Sequence, residues 1–583
     1  MAILGIYEGH NAGAALISEV DGAVIAAVEE ERFSRVKNHD CRPDGTLGPV
    51  HSTQWCVTAS TEEITTVAIG LEEPGALHRR SINSFLDAVR SGEVQRLDRA
   101  AELGMDTAGL LMMPFETQRA RIAKATRTAA EAGVDLVRAK TVHVPHHTCH
   151  AAAFLLSPVE TAVVVTLDGK GDDLSGSVHH GRGHRLHSIL EIPTEASLGH
   201  LYSAATVACG LRPQRDEGKL TAMAATGRPH ARLLTRLREL VSCTDGRLHS
   251  SLSRGIVQGP YPDRVPAFHN EAMTAMIEGI ERDDVAATVQ LVLEETVLAL
   301  VTHHLNKEGI GVLVASGGVF ANVSLNRRVA DLPCVDELHV HPGMTDAGVA
   351  MGAAAAAYAA VHHRRPMPLH NIALGPAYSE DEAVGTFIGR GYRLSDSNLP
   401  AESQIAAALA EGHIAARFVG GCEYGPRALG HRSVLAPASD VRTASELNER
   451  LRRSHVMPFA PIVLAEDGPD LFSGLSKVVG PTQYMTTSVL CNDKAQRYLP
   501  AAVHQDGTAR PQLVDPHRSP DLGALLREFR RLSGRPALIN TSFNMHDEPI
   551  VCSPEDAARS ACQAGLGIVQ VGNRVLIGEG CDL

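Results

Sequence analysis

Residues Ala2 to Glu30 and Thr161 to Pro193 share one rhythm, and this repetition constrains the fold more than any other feature of the chain. In the first stretch the apolar runs AILGIY, AGAALIS and AVIAAVEE are separated by the polar turn EGHN and by a hairpin turn at Val20 to Gly22. In the second, TAVVVTL, LSGSVHH and LHSILEI are separated by Asp168-Gly-Lys-Gly and by Gly181-Arg-Gly. Short apolar runs broken by polar and glycine-rich turns read most simply as three-stranded meanders. Each meander is followed by helical sequence that can cover it, so the repeat predicts an α/β architecture built twice.

A duplicated layout of this kind, with a nucleotide cleft between its halves, is that of the actin, sugar-kinase and heat-shock ATPase superfamily. Later segments agree with it. GVLVAS at 311 to 316 is a short apolar strand, and the Gly317-Gly318 turn and the helical NVSLNRRVAD follow, an arrangement suited to phosphate. A further helix starts near Thr345-Asp346, with that small polar pair at its N-cap, and its Ala-rich body GVAMGAAAAAYAAV should pack closely. Between His362 and Tyr378 three prolines interrupt any periodicity, which predicts a linker. One domain is therefore expected at residues 1–365 and a second α/β domain at 379–583, as a chain of 583 residues exceeds what one core sustains. Segment 75–140 is helical and charged in pattern, with an apolar patch at Leu110 to Phe115, and reads as an insertion in the first domain.

The net charge of −13 disfavours a broad footprint for nucleic acid or anionic membrane, which draws on clustered Lys and Arg. Eleven cysteines without a CxxC pair indicate neither a zinc ribbon nor a disulfide framework, and a reducing cytoplasm fits. The N-terminal apolar run has no basic leader and soon reaches Glu8 and His10, so no signal peptide is expected, and no run is expected to approach the length of a membrane span. Anionic ligands must then be handled locally.

Pro145-His146-His147-Thr148-Cys149-His150 is a proline-led helix start. His146 and His150 share one helix face and can ligate one metal together, whereas Cys149 falls on another face and is expected in the core. An isolated pair at that spacing is more often two surface or capping histidines. Asp168 at a strand end and Asp346 at a helix start change the balance, because both can aim a carboxylate into one cleft. Nitrogen and oxygen donors without thiolate suit iron, manganese or zinc. His10 follows the first strand; it can take a proton from a hydroxyl nucleophile, or merely hydrogen-bond the backbone in its turn, and the residues alone leave both open. In the C-terminal half GPRALGHRS (425–433), TARPQ (508–512) and NTSFN (540–544) combine cations or hydroxyls with small or turn-forming residues. With Arg427, Arg432, Arg450, Arg452 and Arg453 crowded into one stretch, and Arg510 beyond it, they point to an oxyanion pocket.

HNAGAALI, EEERFSRVKNH, HHTCHAAAF, TLDGKG, SLGHLY, EGKLTAMAATG, SGGVFANVSLN, GMTDAGVAMGAAAA, EYGPRALGHRS, MPFAP, VHQDGTARPQ and NTSFNMHDEPIV occur in the order typical of the NodU/CmcH/TobZ family of O-carbamoyltransferases, which the chain resembles over nearly its whole length. The resemblance implies an N-terminal domain like the TsaD-type threonylcarbamoyl-transferase fold and a C-terminal domain like the TsaC/YrdC adenylate-synthase fold. It implies a two-step reaction. The second domain would make carbamoyl-adenylate from carbamoyl phosphate and ATP, with Mg2+ accompanying the nucleotide, and the first would pass the carbamoyl group to a hydroxyl of a small-molecule, natural-product acceptor. His10 matches the family's base; His146, His150, Asp168 and Asp346 match its metal ligands, commonly for iron. Lys37, Gly317, Gly318 and Asn322 match positions around the adenylate. Arg427, Arg510, Asn540 and Ser542 match positions around carbamoyl phosphate. Relatives usually carry a Lys before, and an Arg directly preceding, the PFAP element. Here Met457 precedes Pro458, so either Arg452 or Arg453 takes over the anion contact in a shifted register or the pocket differs. Asn11 stands where some relatives have Asp. A homodimer is compatible with the sequence.

Two rivals are weighed against this reading. A tRNA threonylcarbamoylation enzyme with both folds fused is disfavoured by the acidic balance, and a nucleotide-gated actin-like switch without enzymatic activity leaves the arginine-rich half unexplained.

Overall fold

The computed structural model describes residues 1–41, 48–77, 79–80, 107–250, 271–453 and 459–578. Two compact units are formed, Met1–Glu30 with Asn38–Pro368 and Glu31–Lys37 with Leu369–Leu583. A seven-residue piece directly after the first meander therefore belongs with the second unit.

The first meander is β1 (Ala2–Tyr7), β2 (Gly13–Ser18) and β3 (Val24–Glu29); β4 (Ile64–Ile69) and β5 (Lys140–His143) complete its sheet. The second is β6 (Thr161–Gly171), β7 (Leu174–Arg182) and β8 (Arg185–Pro193). After a small hairpin, β9 (Val241–Thr244) and β10 (Arg247–Ser250), β11 (Val312–Ser316) and β12 (Glu337–Val340) complete the second sheet. The two sheets have the orders β3-β2-β1-β4-β5 and β8-β7-β6-β11-β12. In each, the meander is antiparallel and the two later strands run parallel to its first strand. One topology is thus drawn twice, the actin-like duplication expected from the repeat.

Every residue of β1 and β2 is buried, as in a sheet covered on both faces. The Ala-rich helix Val349–His362 packs on β1 and against the short helix His146–Ala151. The approach is close: a Cβ at Gly352 would lie 2.0 Å from the Cys149 carbonyl oxygen, so only glycine fits there. Cys149 is buried in this seam.

Two expectations change, and a third is met where the residues are described. The turn placed at Asp168-Gly-Lys-Gly is strand, because β6 runs on to Gly171 and the chain reverses at Asp172-Asp173, both in the left-handed region that short aspartate side chains tolerate. The helix Arg282–Glu308 does reach membrane-spanning length and hydropathy, but 67% of its most apolar window is buried within the protein, where Val285, Val289, Val292, Leu293 and Leu300 form core. In segment 75–140 the helix Thr107–Glu131 is present, while residues 81–106 and the side chains of the Leu110–Phe115 patch lie outside the described residues.

The second unit is a mixed α/β layer. In its eight-stranded sheet Ala415–Phe418 runs parallel to Ile568–Val571 and antiparallel to Arg432–Pro437. Arg432–Pro437 pairs with Ala537–Ser542, which pairs in turn with Ala460–Leu464. The helices Ala401–Ala410 and Pro520–Ser533 cover one face through Ile405, Leu409, Leu525, Leu526 and Phe529.

Candidate functional site

In the first unit three elements deliver four ligand-type side chains to one point. Pro145, which has no N–H to leave unsatisfied, precedes the helix His146–Ala151; its first turn places His146 and His150 one above the other. Asp168 comes from β6, and Asp346 opens the turn Asp346–Gly348, whose cap is the Thr345 hydroxyl. His146 Nε2 and His150 Nε2 lie 3.1 Å apart. Each lies 3.4 Å from Asp168 Oδ2, and they lie 3.5 and 3.4 Å from Asp346 Oδ1. All four donors fall within 4.8 Å of one another, so the group can hold a metal ion. Donors about 2.1 Å from one tetrahedral ion are about 3.4 Å from each other, which is the spacing seen. Asp346 Oδ1 is buried and makes no hydrogen bond, an orphan that a cation would satisfy.

The surroundings hold these groups in place. Asp346 Oδ2 accepts from the Tyr7 hydroxyl at 2.8 Å, and Asp168 Oδ1 accepts from the Gly318 amide at 3.3 Å. Asp172 Oδ2 accepts from the His146 amide at 2.8 Å and from the Glu72 amide at 2.9 Å, while its Oδ1 accepts from Gln118 at 2.7 Å. His147 is buried and bonds Thr166, which continues to Ser177 and His179. Burial, reinforced by His146 and His150, holds the His147 imidazole well below its usual range. Burial pulls the His150 imidazole down too, but the carboxylates of Asp168 and Asp346 outweigh it and raise this group to about 9. Asp168 is kept well below the carboxylate range, since its histidine partners outweigh its own burial. Sequence reasoning missed Tyr7, Asp172 and His147; the left-handed aspartates at a hairpin tip were the available signal for Asp172.

Gly317 has φ 98°, and a Cβ there would meet the Leu167 carbonyl oxygen at 2.1 Å, so the turn after β11 can close on β6 only with glycine. Asn322 caps the helix Val323–Ala330, accepting from the Leu325 amide at 3.0 Å, and donates to Gln290 at 2.7 Å. His10 is half-buried in the turn between β1 and β2, next to left-handed Asn11. Lys37 ends the segment Glu31–Lys37 of the second unit.

In the second unit Arg427, Arg453 and Arg510 converge. Burial lowers Arg427 and Arg453 to about 10. Arg510 is depressed further, first by burial and then by the charges of Arg427 and Arg453. Among the described residues none of the three has an ion-pair partner, and the Nε atoms of Arg427 and Arg510 make no hydrogen bond. Arg453 lies over the Phe459 ring and donates to Thr541 Oγ1 at 2.6 Å. Arg452 is exposed, with φ 53°, and Arg453 is the member of the basic run that joins the cluster. Met457 and Pro458 lie outside the described residues. Ser542 ends the strand Ala537–Ser542 half-buried, and Asn540 Nδ2 donates to the Ala428 carbonyl at 3.1 Å and to Gln512 at 2.7 Å.

The loop carrying Arg427 has no regular structure and is built by side chains. Glu423 Oε1, buried beneath it, accepts from the amides of Leu429, His431 and Arg432 at 2.8–2.9 Å. Gln512 donates to the Leu429 carbonyl at 2.8 Å. Glu423 and Gln512 lie within the motifs EYGPRALGHRS and TARPQ, but their hold on the loop backbone leaves no pattern in the chain.

Fold and sites together define an α/β enzyme with a duplicated actin-like first unit. Its residues 2–355 match the carbamoyltransferase N-terminus and 406–577 the carbamoyltransferase C-terminus. The chain belongs to this carbamoyltransferase family. It is 34% identical to an uncharacterised protein of Methanocaldococcus jannaschii, over 71% of this chain and 70% of that one. It is 28% identical to the nodulation protein NolNO of Sinorhizobium fredii, over 97% of this chain and 79% of that one. Among solved structures, component A of the (R)-2-hydroxyglutaryl-CoA dehydratase of Acidaminococcus fermentans covers 62% of this chain and 99% of its own, at 14% identity and a TM-score of 0.34.

Proposed function

We propose that the protein is an ATP-dependent O-carbamoyltransferase whose second unit makes carbamoyl-adenylate and whose first unit passes the carbamoyl group to a hydroxyl of a small-molecule acceptor. The observation that carries this reading is the convergence of Arg427, Arg453 and Arg510 with no ion-pair partner among the described residues. Leaving cations partly buried and uncompensated is costly, and a phosphate dianion relieves that cost with paired guanidinium contacts. Carbamoyl phosphate held there releases carbamate and phosphate on attack by water. Carbamate oxygen then attacks the α-phosphorus of ATP, giving carbamoyl-adenylate and pyrophosphate. In the first unit His10 takes the proton of the acceptor hydroxyl as its oxygen attacks the carbamoyl carbon, and AMP leaves. The family resemblance supports Gly317, Gly318 and Asn322 as residues that receive the adenylate in the first unit, and Lys37 as a nucleotide contact. A transition metal, for which iron is the family expectation, would be held by His146, His150, Asp168 and Asp346 and would stabilise developing oxyanion charge.

The test is pyrophosphate exchange into ATP that requires carbamoyl phosphate, followed by product mass with hydroxyl-bearing acceptors. His10→Asn should retain exchange and lose product. Transfer by that variant at the wild-type rate would reduce His10 to a turn residue.

A further inference from the structure

The segment Glu31–Lys37 follows β3 of the first unit in sequence, yet its contacts belong to the second. Arg32 is fully buried, donates through Nη2 to the Gly425 carbonyl at 2.8 Å and pairs with its neighbour Glu31 through Nη1. Arg35 donates to the carbonyls of Ile550 and Pro549, both at 2.8 Å, and pairs with Asp556 at 3.1 Å. Asp556 in turn closes the capping box of the helix Pro554–Gln563. Gly425, at φ 94°, is the hinge from which Pro426 and Arg427 depart.

Among the described residues, side chains hold carbonyls of the Arg427 loop, Gly425 by Arg32, Ala428 by Asn540 and Leu429 by Gln512. Glu423 holds three of its amides. The Arg32 tether lies on the N-terminal side of Arg427.

We propose that Arg32 is a positioning residue for the anion pocket: by fixing the Gly425 carbonyl it sets the direction in which Arg427 leaves the loop, so the Glu31–Lys37 segment of the second unit completes the carbamoyl phosphate site. This rests on the reading that Arg427, Arg453 and Arg510 bind carbamoyl phosphate. It also implies that residues 379–583 alone lack part of their own pocket.

The experiment uses the full chain and carbamoyl-phosphate-dependent pyrophosphate exchange, with metal content as a control for the first unit. Arg32→Met is expected to raise KM for carbamoyl phosphate about tenfold with kcat within about twofold, the signature of lost binding. Arg427→Met should raise it more, and the double variant should be no worse than Arg427→Met, because Arg32 acts through Arg427. Arg32→Lys, whose single ammonium cannot hold Glu31 and the Gly425 carbonyl in the same geometry, is the second variant should Arg32→Met not fold, with a rise of about threefold expected. Wild-type KM in the Arg32 variants, with KM raised by Arg427→Met, overturns the positioning role and leaves the pocket standing, and so do multiplicative effects in the double variant. Wild-type KM in Arg427→Met overturns the pocket and the proposal together.

Discussion

The metal-type cluster of the first unit and the arginine pocket of the second are built on opposite electrostatic plans. In the first, two carboxylates face two imidazoles at 3.4–3.5 Å, and the charges largely answer one another. In the second, burial lowers all three guanidinium groups, and the charges of Arg427 and Arg453 lower Arg510 further. The first gathers donors of both signs around one point; the second sets like charges together. Side chains of Arg32, Glu423, Asn540 and Gln512 hold backbone groups of residues 425–432.

The sharpest way to break this comparison is at the first cluster. His150→Ala and Asp168→Asn should each take metal content from about one ion per chain to none, since each removes one donor of four, and carbamoyl transfer should fall at least about a hundredfold. Elemental analysis showing metal retained in both variants would contradict it. Next comes the pocket. Arg510→Met should lower carbamoyl-phosphate-dependent exchange by about a hundredfold while metal content stays at the wild-type level, which separates the two sites. A smaller effect sharpens the account of the outer contacts: Asp172→Ala frees the amide of His146 and should weaken metal binding by about 10–100-fold in competition with a chelator, without abolishing it. Smallest is Asn322→Ala, which removes a helix cap and should cost about 1 kcal/mol in thermal or denaturant unfolding. A larger loss of activity than of stability there would favour the contact with adenylate.

What the sequence made legible follows physical periodicity. The His146–His150 pair and the Asp346 helix start could be found because helix geometry fixes which side chains align, and the double meander because strands and turns alternate on a short scale. The end of β6 was misplaced since Asp-Gly-Lys-Gly has turn composition, whereas the two aspartates that turn the chain can do so only by adopting left-handed backbone. The arginine-rich stretch was visible as composition, but the choice between Arg452 and Arg453 depended on where the helix Val441–Arg450 ends, and Arg452 takes up a left-handed conformation just beyond it. Arg32, Glu423 and Gln512 fall inside motifs visible in the sequence, but their roles were not legible there, because each acts on a backbone group distant in sequence or on a loop without periodicity.

The central claim is that adenylation and transfer are done by different units. It is tested most directly by measuring carbamoyl-phosphate-dependent pyrophosphate exchange in full-length His150→Ala beside full-length Arg510→Met. The account predicts exchange near the wild-type rate without carbamoylated product in the first and loss of exchange in the second; exchange lost in His150→Ala and retained in Arg510→Met would contradict it.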